Sequence, residues 1–255
     1  MRNAHESVRR LGVRPVARRG RAAVAIVQAC LLALVILAFT RIHAIVGNNV
    51  AAATANAHTL QRFERTLHLD IELAMNRWLV GHDALITPSV IVYRLYYAVL
   101  IGVLAWIFLR HPGVYRHVRN TFMAMSGLAL LVYWAVPMSP PRFALAGIVD
   151  VITQHDLWGG RAFHESGSYT AMPSVHVAWS AWAAYAAWSA LRGAHPRGAL
   201  AAWSFPLVMV AIVFCTGSHY VLDVVGSAVL LVGAIAVARL WDCLARHGAR
   251  ASGND

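Results

Sequence analysis

The sequence predicts an all-α polytopic membrane protein, a bundle of six transmembrane helices. Three observations carry this. Of the 255 residues, 59% are hydrophobic and 13% charged, whereas a water-facing surface needs roughly 25–35% charged residues. The mean hydropathy is +0.56. Finally, the apolar residues fall in runs near the ~20 residues that cross a bilayer.

Six such runs are present, at 22–46, 84–109, 118–136, 173–191, 200–215 and 221–241. The first follows Arg18, Arg19 and Arg21. Its apolar stretch is longer than the ~7–15 residues of a cleaved signal, so it reads as an uncleaved span. The domain expectation is a basic cytoplasmic tail at 1–21, one membrane domain at 22–242 and a second tail at 243–255.

The net charge is +11, and every basic residue is arginine. The arginines sit between apolar runs and not along one soluble face, so they read as topology signals and not as a nucleic-acid surface. Fifteen fall on one side of the predicted bundle and six on the other, with Arg94 inside a span. The positive-inside rule then places both termini in the cytoplasm. Arginine to the exclusion of lysine points to a GC-rich genome, so the expected location is a bacterial cytoplasmic membrane. Cys30, Cys215 and Cys243 read as small apolar residues, and His43, His58, His68 and His155 lack ligand spacing, so neither a metal nor a cofactor is expected.

Two long connections lie on the outer side, 47–83 and 137–172. In the first, Phe63, Leu67, Ile71 and Trp78 recur at nearly helical spacing, predicting a helix on the membrane surface with Glu64 and Glu72 solvated. Several tryptophans, among them Trp78, Trp134, Trp179 and Trp241, read as interfacial anchors.

The topology brings three polar constellations to the outer ends of spans. These are Pro140-Pro141-Arg142, Met172-Pro173-Ser174-Val175-His176, and the stretch from Gly217 through His219 to Asp223. Pro173 suits a first helical position, and the free N–H groups there, with the Ser174 hydroxyl, make an anion site. His219 and Asp223, four apart, would share a helix face, letting the carboxylate fix the imidazole tautomer. Two histidines, an aspartate, an arginine and a helix N-terminus are the groups phosphoryl transfer needs: cations and N–H groups for the equatorial oxygens, a nucleophile or base, and an acid. Residue types and spacing leave open which histidine attacks.

These segments resemble the type 2 phosphatidic acid phosphatase superfamily, which shares its core with vanadium haloperoxidases. Its three motifs are Lys-x6-Arg-Pro, Pro-Ser-Gly-His and Ser-Arg-x5-His-x3-Asp. Arg142 matches the first, Pro173-Ser174-Val175-His176 the second, and His219 with Asp223 the third. The first motif's lysine falls at Ala135, the third motif's Ser-Arg at Ile212-Val213, and the second motif's glycine at Val175. The Pro-Pro-Arg and Pro-Ser-aliphatic-His forms resemble the inositolphosphotransferase-like branch, which includes fungal inositol phosphorylceramide synthases. The resemblance is strongest over 63–226.

The resemblance implies that His219 attacks phosphorus to form a phosphohistidine, that Asp223 orients it and that His176 protonates the leaving group, without a metal. The implied partner is a phosphorylated lipid in the membrane, with phosphate bound by Arg142 and Ser174. Arg94, about 15 Å into the second span at 1.5 Å per residue, can snorkel towards the phosphate and supply part of the missing cationic charge; Arg161 and His164 are weaker candidates. A lipid phosphatase without transfer, and a transporter or silent scaffold, are the competing readings.

Overall fold

The computed structural model describes residues 27–28, 34–43, 45–46, 49–155 and 169–251. The chain divides into two compact units, 1–41 and 42–255. In the first, residues 34–41 are helical, part of α1 (Leu34–His43). Residues 22–26, 29–33 and 44 of the expected first span, the tail at 1–21, Arg161 and His164 lie outside the described residues.

Among the described residues of the second unit the regular elements are helices. Its elements are α2 (Val50–Thr66), α3 (Glu72–Val80), α4 (Asp83–Arg110), α5 (Pro112–Ala135), α6 (Pro141–Ala144), α7 (Val151–Gln154), α8 (Val175–Leu191), α9 (Pro196–Ala201), α10 (Ser204–Cys215) and α11 (Val221–Ala251). Among the described residues the extended pairing is a single isolated bridge, Met138 to Thr170.

Local chemistry explains the boundaries. The Asn49 side chain caps α2 by accepting from Ala52 N at 3.0 Å. That helix stops at Leu67, and His68 follows with φ 55°. Pro112 sits at the start of α5, where its missing N–H costs nothing.

Helix α8 lies at the centre, packed by α4, α5, α10 and α11. Most of its circumference is buried, including Trp179, Trp182 and the small residues Ala178, Ala183, Ala184 and Ala186. A helix apolar on every side belongs in a core, and alanines let neighbouring backbones approach closely. Trp179, read from sequence as an interfacial anchor, is instead 1% exposed. The reason is its position on this central helix. Trp134, by contrast, is 76% exposed.

Three stretches are long and apolar enough to cross a membrane: Asp83–Arg110, Pro196–Cys215 and Val221–Ala245. Their outer faces carry exposed Leu207, Val229 and Val232, an apolar surface too continuous for a monomer in water. Two other predicted spans are present as helices, α5 and α8. Buried Asn120, Thr121 and Ser126 make α5 less apolar, and α8 is 17 residues long.

The surface helix expected around Phe63–Trp78 is two helices, α2 and α3, separated by the break at 67–71. Phe63, Leu67, Ile71 and Trp78 are exposed as the spacing requires. Glu64 and Glu72, expected in solvent, are buried. Arg62 and Arg65 are exposed beside these apolar side chains, while Ala53, Ala57 and Leu79 are buried with the two glutamates, so the outer face is mixed and Glu64 and Glu72 are carboxyls turned inwards.

Candidate active site

The three constellations meet. Arg142, on the short helix α6, donates its backbone N–H to Gly217 O at 2.8 Å, and Ser174 N reaches Asp223 O at 3.4 Å. Ser227 Oγ ties the same two segments by donating to Ser174 O and Asp223 O. The His176 and His219 ring centroids are 5.9 Å apart.

His219 and Asp223 are coupled, though not as two positions on one helix. His219 precedes α11, which starts at Val221. Asp223, in the first turn, folds back as a cap: its Oδ2 accepts from Tyr220 N at 2.9 Å and lies 3.2 Å from His219 Nδ1. Unpaired N–H groups at a helix start attract a carboxylate there. His219 Nδ1 also lies 2.9 Å from Ala171 O. Both neighbours of Nδ1 are acceptors, so in the neutral imidazole Nδ1 carries the proton and Nε2 the lone pair. His219 is 5% exposed and Asp223 fully buried.

His176 is held differently. It lies in the first turn of α8, stacked on Tyr93 at 4.1 Å and tilted against Tyr96 at 4.5 Å. Its Nδ1 is buried without a hydrogen-bond partner among the described residues. No hydrogen bond joins the two imidazoles, whose ring centroids lie 5.9 Å apart at an interplanar angle of 55°.

Ser174 is the N-cap of α8 and not, as the proline suggested, the second helical residue; its Oγ accepts from Val177 N at 3.3 Å. Pro173 stands before the cap, its carbonyl accepting from Tyr133 Oη at 2.7 Å. Capping uses Ser174 Oγ as an acceptor, and Ser174 is fully buried.

Arg142 is oriented on two sides. Nη1 donates to Ser218 Oγ at 2.6 Å, and Nε lies 3.6 Å from Asp150 Oδ1. Ser218 is in turn 2.9 Å from Thr216 Oγ1. Asn76 braces the turn from below, donating to Val149 O and Cys215 O and accepting from Val149 N. Ser218, Asn76 and the stacking role of Tyr93 and Tyr96 were not read from the sequence, because none stands in a spacing that signals it. Arg94 is within electrostatic reach of His176, as are Arg142 and His43.

The sequence profile of the PAP2 superfamily matches residues 58–237. The chain belongs to the PAP2 superfamily. The match covers every residue placed above around His219, and with three membrane-length apolar helices it identifies an integral membrane protein of lipid-phosphate phosphatase type, a phosphoric ester hydrolase. No curated protein and no solved structure matches the chain.

Proposed function

We propose that this PAP2 protein takes a phosphoryl group from a phosphorylated lipid onto His219 and passes it to water or to an alcohol. The carrying observation is the double restraint on His219 Nδ1 by Ala171 O and Asp223 Oδ2, which leaves Nε2 as the nucleophile. Nε2 attacks phosphorus as the bond from phosphorus to the lipid oxygen breaks. Protonated His176 gives its proton to the departing oxygen. In the second half-reaction neutral His176 takes a proton from the acceptor hydroxyl, whose oxygen attacks the phosphohistidine and releases His219. Arg142 and the Ser174 hydroxyl hold the equatorial oxygens, as the transition state of phosphoryl transfer demands. Arg142, His176 and His219 sit near the ends of spans, so a lipid tail can stay in the bilayer while its phosphate enters. The six-span topology, cytoplasmic termini and an outward-facing site complete this reading.

Transfer to a polyol, inositol among them, is favoured over simple hydrolysis by two features. The Pro-Pro-Arg and Pro-Ser-Val-His forms resemble the inositolphosphotransferase-like branch, and the nucleophile is almost fully buried, which limits free access of water. The test is phosphate release from a panel of phosphorylated lipids by the protein in lipid micelles, with and without added inositol. A phosphorylated polyol rising at the expense of free phosphate is the expected outcome; a product ratio that does not respond to any alcohol would leave a phosphatase only.

Arg94 is proposed as a second cation for the phosphate. Replacing it by alanine should raise KM about tenfold or more, the scale of a lost charged hydrogen bond, while the protein folds normally. An Arg94→Ala protein with unchanged KM would remove it from the site.

A further inference from the structure

The first turn of α11 is capped by three carboxyl groups, two of them supplied from elsewhere in the chain. Tyr220 N donates to Asp223. Leu222 N donates to Glu64 Oε1 at 2.7 Å, and Val221 N donates to Glu72. Glu64 comes from α2 and Glu72 from the start of α3. Both are buried, at 0% and 1% exposure.

The two carboxyls thus cap adjacent N–H groups of one helix start and interact directly with each other. Carboxylates only accept, so a bond between two carboxyl groups requires a proton on one of them. Among the described residues Glu64 Oε2 and Glu72 Oε1 are buried without a hydrogen-bond partner, and a proton held between the two carboxyls would satisfy them. Two bare carboxylates buried side by side would carry desolvation and repulsion together.

We propose that Glu64 and Glu72 share one proton and act together as positioning residues, fixing the start of α11 and through it the His219–Asp223 pair. This rests on the reading of His219 as nucleophile. The pair holds one negative charge against the N–H groups of α11, where a helix start favours it. Losing the proton would place a second charge there, facing Glu72 and Asp70 on the α3 side and Asp223 and Tyr220 on α11. Asp70 is already paired with Arg65 at 3.4 Å. Repulsion would then loosen the turn that presents His219.

The titration follows from the burial. Desolvation is the largest influence on Glu64 and raises its pKa to about 8, and Glu72 is raised for the same reason. The folded protein therefore keeps a proton that the unfolded chain gives up near the ordinary carboxyl value of 4.5. Stability falls as pH rises through that window and levels off above about 8.

The test compares the full-length protein with Glu64→Gln in lipid micelles from about pH 5 to about pH 9. Glutamine keeps an oxygen for Leu222 N and an N–H for Glu72, imitating the protonated pair. Wild-type melting temperature should decline across this range and the variant's should decline distinctly less. The infrared carbonyl band of a protonated carboxyl, present at neutral pH in wild type and titrating near 8, should be lost in Glu64→Gln. For activity, kcat/KM of wild type should fall about tenfold per pH unit on the alkaline side, and this limb should move upwards in Glu64→Gln, while Glu64→Ala lowers kcat at every pH. Identical melting slopes and an unchanged carboxyl band would overturn the shared proton. An unmoved alkaline limb alongside a changed band would overturn the positioning role. If wild type released no phosphate from any lipid while slope and band behaved as stated, the shared proton would stand and the reading of His219 would fail.

Discussion

Replacing His219 by alanine is expected to lower phosphate release from lipid phosphates by on the order of 10^4-fold or more, the scale of losing a nucleophile. Nothing near it substitutes: Asp223 is engaged with Tyr220 N and His219, and the His176 ring centroid lies 5.9 Å from that of His219. His176→Ala should separate from it by leaving group. With an alkyl phosphate the loss is about 10^2–10^4-fold, the usual worth of a general acid. With an aryl phosphate whose oxygen departs unprotonated, the first half-reaction should persist and phosphoenzyme accumulate. Asp223→Asn should cost less than His219→Ala, because the Ala171 carbonyl still holds Nδ1–H. Steady-state and burst kinetics on both substrates check all three. Equal losses in His219→Ala and His176→Ala on the aryl phosphate would contradict the assigned roles.

Gly217→Ala carries the second large effect. Gly217 has φ 65°, and a Cβ there would run into Ile148 Cγ2. The left-handed conformation alone costs a non-glycine residue about 1–2 kcal/mol, and the clash adds to it. The same residue gives its carbonyl to Arg142 N and precedes Ser218, which orients the guanidinium. A shift here moves the phosphate-binding arginine and the approach to His219 together. The variant should melt lower by several degrees and lose most activity, with KM raised through Arg142. Ile148→Ala in the same protein should restore part of the stability, by removing the clash but not the φ strain. A Gly217→Ala protein with wild-type melting and kinetics would show that this turn does not set the site.

Much of this was legible in the sequence because the signals are one-dimensional. Apolar runs near 20 residues marked α4 closely, whereas α5 (Pro112–Ala135) begins well before its run at 118–136 and α11 (Val221–Ala251) continues well past its run at 221–241, because both helices extend through polar residues; the alternation of spans and loops brought Arg142, His176 and His219 to one end of the predicted bundle. What the sequence misjudged involves direction. The Phe63 to Trp78 spacing was read with the carboxyls outward, as in water, whereas Glu64 and Glu72 turn inward. The His219–Asp223 interval of four suggested a helix face, while the N–H groups at the start of α11 draw Asp223 back as a cap. Ser218 and Asn76 act through backbone carbonyls and a hydroxyl on residues far away in sequence, and no local spacing encodes such partners. Trp179 shows the same limit: an aromatic near a predicted span end is an anchor or a core residue according to which helix is central.

The central claim is a phosphohistidine on His219, and the most direct measurement is to trap it. Wild-type protein in lipid micelles is mixed with a lipid phosphate labelled on phosphorus, quenched in base within the first turnover, and digested for peptide mapping. The account predicts a base-stable, acid-labile label on the peptide containing His219, absent from His219→Ala. Label on His176, or label retained in His219→Ala, or turnover of substrate with no labelled protein in either His176→Ala or wild type, would contradict it.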